Sequence, residues 1–169
     1  GNIGKSGGGT WNGGIARLTN CTYTDNTATL SETAGGIDAS AVWRNVHTTI
    51  TNCTIANNTA SASSSASALF AGVYTAGITS TAYLRNTIIT GQGVAPSLFV
   101  LSAIPGANIT SLGYNLATDS PSVLSHGTDV KGEDPLLGSL LDNGGPVLTR
   151  ALGAGSPAVE AGSPWLFPA

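Results

Sequence analysis

Polar and apolar residues alternate in three short runs of the chain, and each run leads into the same kind of motif. The runs are Leu18-Thr19, Thr49-Ile50-Thr51 and Tyr83-Leu84-Arg85. The motifs that follow are Asn20-Cys21-Thr22-Tyr23, Asn52-Cys53-Thr54-Ile55 and Asn86-Thr87-Ile88-Ile89, which lie 32 and 34 residues apart. Alternation with a period of two predicts strands. A fixed order of motifs at a period of about 20–50 residues is typical of a solenoid.

Further motifs frame each repeat and predict how the chain turns. Glycine-containing pairs precede each strand, and Asn-Thr-Ala segments follow it in the first two repeats: Gly8-Gly9, Gly35-Gly36 and Ala71-Gly72, then Asp25–Ala28 and Asn57–Ala60. A glycine lets one backbone pass close to its neighbour, and asparagine tolerates the left-handed conformation of a bend. We therefore expect each repeat to form one coil, with Asn20, Asn52 and Asn86 stacked as a ladder of side-chain amides.

The expected architecture is a single all-β domain. Residues 1–116 would form the parallel coils, and residues 117–169 an irregular, turn-rich wrap packed on the last coils. A globular sandwich is the alternative, since it also uses short strands. A sandwich requires no fixed order of glycine and asparagine motifs, whereas stacked coils place equivalent residues about 4.8 Å apart. Stacking would turn Tyr23, Ile55 and Ile89 inward as one column of the core.

The composition narrows the functional classes. Charged residues make up 9% of the chain, against about 25% in ordinary soluble domains. Six scattered Lys and Arg residues cannot neutralise a run of phosphates, so no nucleic-acid partner is expected. The sequence has no apolar run of about 18 residues, so no membrane-spanning helix is expected. Low charge with abundant Ser, Thr and Asn favours an extracellular or cell-surface location.

Five further motifs occur in an order that resembles a known family. They are Asn86–Ile89, Ser111–Leu116, Asp134–Gly138, Leu141–Pro146 and Gly155–Gly162. In these motifs the chain is similar to secreted choice-of-anchor Q proteins, and its Gly-Gly-Ile and Asn-Cys-Thr repeats resemble those of polymorphic outer-membrane-type surface proteins. The resemblance implies a right-handed parallel β-helix of the pectin-lyase-like superfold, in an exported or surface-anchored protein. Most members of the family have no proven function.

No constellation in the sequence identifies a reaction. Glycoside hydrolysis needs two converging carboxylates, and no pair of acids recurs at a spacing that would stack them on one strand face. Asp129, Glu133 and Asp134 form an acidic cluster near His126, which we interpret as a solvated turn rather than a calcium or acid–base site. The two His and two Cys are not expected to converge as zinc ligands. We therefore expect no catalytic residue, no metal and no cofactor.

Cys21 and Cys53 occupy the same position in successive repeats. Stacking would bring their Cα atoms within the window of roughly 4.4–6.8 Å that a disulfide requires, and an oxidising compartment would allow the bond to form. The alternative is two buried thiols that act as small apolar residues. The sequence leaves both interpretations open.

Surface features suggest two kinds of glycan contact. Asn57 and Asn108 are candidate glycosylation sites in a eukaryotic secretory route, because each begins an Asn-x-Thr sequon. Two other sequons begin at Asn20 and Asn52, which are better explained as buried ladder residues. Trp11 and Tyr74 occupy the same position in two repeats, which predicts an aromatic platform for a surface glycan. The alternative is that both rings pack beneath loops.

These features favour a non-catalytic, extracellular structural or adhesive module. A parallel solenoid ends in open strand edges unless a cap covers them, and Gly1–Gly9 contains no amphipathic helix that would serve as a cap. The first coil is therefore expected either to continue into further sequence or to stack on another copy of the chain, and the second option would build filaments by end-to-end stacking. The alternative function is carbohydrate binding or polysaccharide degradation, by a lyase or hydrolase mechanism, on the aromatic face near Trp11, Trp43 and Tyr74.

Overall fold

The computed structural model describes residues 1–164, which form short strands joined by turns, with no α-helix among them. The strands stack as a parallel β-solenoid of about three turns, which confirms the all-β solenoid predicted from the repeats. No helix within these residues is long and apolar enough to cross a membrane. The last five residues of the predicted wrap, 165–169, lie outside the described part of the chain.

The strands that build these turns fall into four successive groups, which we call coils. The first contains β2 (Thr10–Asn12), β3 (Ile15–Thr19), β4 (Thr22–Thr24) and β5 (Thr27–Ala28), after a preceding strand β1 (Ile3–Gly4). The second contains β6 (Ile37–Ala41), β7 (Val46–Thr51), β8 (Thr54–Ala56) and β9 (Thr59–Ala60). The third contains β10 (Leu69–Val73), β11 (Ser80–Arg85) and β12 (Ile88–Ile89), and the fourth β13 (Leu98–Val100), β14 (Ala107–Ser111) and β15 (Leu116–Ala117). Three strands come after the coils: β16 (Val130–Lys131), β17 (Leu137–Leu141) and β18 (Thr149–Leu152).

Equivalent strands of successive coils pair in parallel and build four sheets. Sheet I has the order β1-β5-β9, and sheet II the order β2-β6-β10-β13. Sheet III has the order β3-β7-β11-β14, and sheet IV the order β4-β8-β12-β15-β16. The pairing is in register with the repeats, because Thr19 pairs with Thr51 and Thr51 with Arg85. The strands β17 and β18 form a separate antiparallel hairpin.

The core is a set of columns of like residues, as the alternation predicts. In β7 and β11 every second side chain is buried, and the inward Ile50 pairs with Leu84. In sheet IV the inward Ile55 pairs with Ile89 and lies beside Tyr23. The strands β6 and β10 are buried on both faces, because Phe70 on the outer side packs against the connections that precede the strands, at Ala34 and Ala66.

The corners of the coils depend on residues that accept a left-handed backbone or have no Cβ. Asn20, Asn52 and Asn86 have φ values of 55°, 52° and 50°, which matches the bends expected of them. Gly35 allows close approach of two backbones, because a Cβ there would clash with the backbone of Thr59.

The third glycine motif, Ala71-Gly72, does not correspond to Gly35-Gly36. Gly35 N and Gly36 N instead donate to the carbonyl oxygens of Ala66 and Ser67. The strand pairing agrees, since Ile37 pairs with Leu69 and Gly72 with Ser40.

The C-terminal segment first adds a strand to the solenoid and then packs against the outside of the coils. Val130 pairs with Leu116 and so extends sheet IV. Further along, Ala158 and Ala161 face the outward apolar residues of sheet IV across a cavity of about 160 Å³. Arg150 reaches Asp25 in the first coil, and Ser163 N donates to Asn86 Oδ1 in the third at 2.8 Å. The segment therefore contacts early coils as well as late ones.

Candidate functional site

A groove with two exposed indole rings lies on the outer side of sheet II. Its volume is about 390 Å³. The lining residues are Trp11, Gly13, Gly14, Ser40, Val42, Trp43 and Arg44. Trp43 is 82% exposed and Trp11 46% exposed, which is unusual for the largest apolar side chain. The groove combines two aromatic faces, a hydroxyl, a guanidinium and two glycine backbones.

The first coil fixes the position of Trp11. Trp11 lies in β2 and pairs with Asp38, so both side chains point to the outer face of sheet II. A Cβ at Gly13 would meet the outer edge of the indole ring, so a larger residue there would require the ring to shift. The buried Asn12 side chain fixes the turn that follows Trp11. Its Nδ2 donates to Thr48 Oγ1 at 2.8 Å, and its Oδ1 accepts from Gly14 N at 3.0 Å.

A buried carboxyl group lies under one edge of the groove. Asp38 is 2% exposed, and Thr33 Oγ1 donates to its Oδ2 at 2.8 Å. Ser40, which also lines the groove, donates a very short hydrogen bond to Asp38 Oδ1. Burial raises the pKa of Asp38, and the two hydroxyl donors only partly oppose that rise. The carboxyl group thus holds Ser40 in place at the edge of the groove.

The predicted pairing of Trp11 with Tyr74 at one repeat position is wrong. The column that contains Trp11 continues through Asp38, Phe70 and Phe99, and the two phenyl rings stack with centroids 5.8 Å apart. Tyr74 follows Val73, which pairs with Ala41 rather than with Asp38.

Tyr74 instead lies close to the buried carboxyl group of Asp38. Its hydroxyl donates to Glu32 O at 2.9 Å. Burial, together with the charges of Asp38 and Glu32, raises its pKa to about 12. The second aromatic residue of the groove is therefore Trp43, which lies in the connection between β6 and β7.

The predicted asparagine corner and a second asparagine ladder occupy different edges of the solenoid. At the predicted corner, Asn86 Nδ2 donates to Asn52 Oδ1 at 3.0 Å, and Asn20 occupies the equivalent place in the first coil with its side chain exposed. Asn52 and Asn86 line the cavity beneath the C-terminal segment. The predicted burial of the ladder is therefore wrong for Asn20, which is exposed, and Asn52 is only half-buried.

The second ladder is buried and was missed in the sequence. Asn26 Nδ2 and Asn26 N both donate to Asn58 Oδ1, at 2.9 and 3.0 Å. Asn2 N donates in turn to Asn26 Oδ1 at 3.0 Å. Asn58 is fully buried. The Asp25–Ala28 and Asn57–Ala60 segments carried the signal, because both place asparagine directly before Thr-Ala.

The two cysteines lie at one corner of the first and second coils, directly before β4 and β8. Both are free thiols in this structure, Cys53 buried and Cys21 half-buried. Thr54 N donates to Cys21 O at 2.9 Å, so the two residues are neighbours in the stack.

The sequon asparagines differ in accessibility. Asn108 is exposed on the edge strand β14, and its Nδ2 donates to Thr110 Oγ1 at 2.9 Å. Asn57 is half-buried, and its Oδ1 accepts from Gln92 Nε2 at 3.2 Å. Of the two, Asn108 has the more accessible side chain, and glycosylation of either residue stays a prediction.

The acidic cluster in the C-terminal segment stabilises turns. Asp129 Oδ1 accepts from the backbone N and side-chain Nδ2 of Asn115, both at 3.1 Å, and its Oδ2 accepts from His126 N at 3.0 Å. Asp134 Oδ1 accepts from Leu136 N at 2.8 Å. Residues 1–164 contain no group of three or more His, Cys, Asp or Glu side chains arranged to hold a metal ion.

Fold and groove together define the class of this chain as a parallel β-solenoid protein with an aromatic surface groove. Comparison with protein-family models, curated proteins and solved structures finds no match to the chain.

Proposed function

We propose that this chain is a non-catalytic, adhesive module of an extracellular or cell-surface protein, and that it binds surface glycans in the groove between Trp11 and Trp43. The observation that carries the proposal is the exposure of two indole rings around one concave site. The resemblance to exported choice-of-anchor Q proteins supports the location.

The chemistry of the groove suits a sugar ring. Indole faces pack against the C–H faces of pyranose rings, and exposed tryptophan offers a large apolar area with little loss of side-chain entropy. Arg44 supplies a cationic donor for sugar hydroxyl or carboxylate groups. A site of about 390 Å³ accommodates one or two sugar residues.

The scaffold supports adhesion because it holds the groove rigidly. Trp11 and Ser40 belong to neighbouring strands of one parallel sheet, and Asn12 fixes the turn next to Trp11. A preformed site loses less conformational entropy on binding.

Binding can be tested with a panel of neutral and uronate-containing oligosaccharides, by tryptophan fluorescence and calorimetry. We expect Trp43→Ala and Trp11→Ala each to weaken binding at least tenfold. Val94→Ala is the matched control, because Val94 is an exposed apolar residue in the connection before β13. If the panel does not bind, or if both tryptophan variants bind as the wild type does, the proposal is wrong.

The same panel separates adhesion from the alternative function. A polysaccharide-degrading enzyme would release reducing ends or unsaturated uronates from these substrates. Binding without turnover supports the adhesive module, whereas turnover that is lost in Asp38→Asn would assign the chain to the enzyme class.

A second candidate function is self-assembly, and it rests on the strands of the first coil. Within residues 1–164, β2, β3 and β4 pair with a strand on one side only, and Ile3 and Ile15 are exposed nearby. The two ends of a parallel stack have complementary hydrogen-bonding edges, so a second copy fits by open, head-to-tail contact.

Sedimentation velocity over a hundredfold range of concentration, with electron microscopy of the same samples, tests this assembly. We expect association that Ile15→Lys reduces and Val94→Lys does not. A wild-type protein that stays monomeric at every concentration would remove the filament proposal and leave glycan binding untouched.

A further inference from the structure

Cys21 and Cys53 are placed by the solenoid at the spacing of neighbouring coils. Each follows a left-handed asparagine and precedes a strand, and the next residues, Thr22 and Thr54, pair directly. Parallel strands that pair in this way are about 4.8 Å apart. This spacing lies inside the range of Cα separations that a disulfide spans.

The two side chains have the same orientation. Cys21 Sγ donates to Thr19 O at 3.3 Å, and Cys53 Sγ donates to Thr51 O at 3.2 Å, in each case two residues back along the chain. Cys53 Sγ also lies 3.5 Å from Leu18 O, which belongs to the first coil. The buried sulfur therefore points toward the coil that holds its neighbour.

The environments of the two thiols differ. Cys21 is half-buried, whereas Cys53 is 2% exposed. Burial raises the pKa of Cys53 to about 11, and the adjacent Cys21 side chain contributes to the rise while the backbone of Cys21 opposes it. Only Cys21 is accessible to a reagent from solution while the coils stay intact.

We propose that Cys21 and Cys53 form a redox-active dithiol that closes to a disulfide between the first and second coils when it meets a disulfide oxidant. Cys21, as the thiolate, attacks one sulfur of the oxidant, forms a mixed disulfide and releases one thiolate. Cys53 then attacks the Cys21 sulfur, and its proton passes to the departing thiolate, which leaves as a thiol. The protein gives up two electrons and two protons, and the oxidant is reduced to two thiols.

The third coil shows that a hydroxyl fits at the same position. Thr87 is buried there, and its Oγ1 donates to Arg85 O at 2.9 Å, in the same way as the two thiols. Serine at either cysteine position is therefore expected to preserve the fold. This makes the two single Cys→Ser variants usable controls.

The test exposes folded, reduced protein to glutathione disulfide at about pH 8, followed by an acid quench, intact mass and non-reducing peptide mapping. We expect a loss of two hydrogens, one crosslink between the peptides that carry Cys21 and Cys53, and a Tm higher by roughly 10 °C, since the bond closes a loop of about 30 residues. Cys53→Ser should stop at the mixed disulfide with one glutathione. Cys21→Ser should remain unmodified over the same period.

Moving the cysteine pair to the second and third coils tests whether the crosslink depends on the stacking of neighbouring coils. In a Cys21→Ser, Thr87→Cys double variant, the crosslink should form between the second and third coils instead, at Cys53 and position 87. The proposal is overturned if the folded wild type stays reduced, carries two unlinked glutathione groups, or forms the crosslink only in denaturant.

Discussion

Arg150, in the C-terminal hairpin, forms an ion pair with Asp25 of the first coil, with 2.9 Å between Arg150 Nη2 and Asp25 Oδ2. The two residues are 125 positions apart in the sequence. Arg150 Nε also donates to Thr24 Oγ1 at 2.9 Å, and its Nη1 donates to Gly138 O at 3.1 Å. One guanidinium thus joins the hairpin to the start of the solenoid.

Replacement of Arg150 by Gln is expected to lower the free energy of unfolding by about 1 kcal/mol at pH 7. Asp25 is partly exposed, so solvent screens the pair. Burial opposes ionisation of Asp25, but the Thr24 hydroxyl and the Arg150 guanidinium outweigh it and lower the pKa of Asp25. The contribution is therefore present above the ordinary carboxyl pKa and is lost as the pH falls through the lowered value.

Urea denaturation of wild type and Arg150→Gln at pH 7 and at about pH 2.5 measures this difference. Arg17→Gln is the control, since Arg17 is exposed on sheet III. A difference between wild type and Arg150→Gln that is as large in acid as at pH 7 would show that the ion pair is not its cause.

The buried asparagine ladder should be more important for stability than the exposed asparagines. Asn58→Ala is expected to cost about 2–3 kcal/mol, because it leaves Asn26 N and Asn26 Nδ2 without their acceptor in the core. Asn108→Ala, at an exposed position on β14, should cost less than about 0.5 kcal/mol. Chemical denaturation of both variants provides the comparison, and equal costs would contradict the role assigned to the ladder.

The repeats predicted the coil stack because strand alternation and left-handed asparagines are local signals. Thr19 and Thr51 mark equivalent positions in the sequence and pair in the structure. The position of Tyr74 could not be predicted in this way. The serine-rich segment before Leu69 stacks in register on the preceding coil, and Ser67-Ala68 stand there in place of a glycine pair. The next glycine motif, Ala71-Gly72, therefore looks equivalent to Gly35-Gly36 although Ile37 pairs with Leu69.

The groove was only partly predictable for a related reason. Trp11 belongs to a repeat, whereas Trp43 lies in a connection whose length and sequence do not recur.

Whether an asparagine is buried also depends on the neighbouring coil. Asn58 is inside because Asn26 stacks on it, whereas Asn20, with the clearer sequence signal, is exposed.

Asp38 should make the protein less stable as the pH rises through the mildly acidic range. Its folded pKa is raised above its ordinary value by burial, so the folded state holds a proton that the unfolded chain releases. Stability is then full below the unfolded carboxyl pKa, near 4, and decreases as the pH rises toward the folded value. Asp38→Asn removes this titration.

Thermal unfolding of wild type and Asp38→Asn between about pH 3 and 7 measures the effect. We expect the difference in Tm, variant minus wild type, to increase with pH. Glu133→Gln, an exposed carboxyl in the C-terminal segment, should leave the profile of the wild type unchanged. A constant difference between wild type and Asp38→Asn across the range would mean that Asp38 titrates alike in both states.

Gly13 and Gly14 provide a matched pair of substitutions for the groove. A Cβ at Gly13 would clash with the ring of Trp11, whereas a Cβ at Gly14 would meet open space. Because the outer edge of a side chain can rotate away, Gly13→Ala is expected to cost less than about 1 kcal/mol in stability. The rotated indole should change the near-ultraviolet circular dichroism and lower affinity for the glycan probe about tenfold. Gly14→Ala should change neither quantity. Equal behaviour of the two variants in both measurements would show that the ring of Trp11 does not shape the binding site.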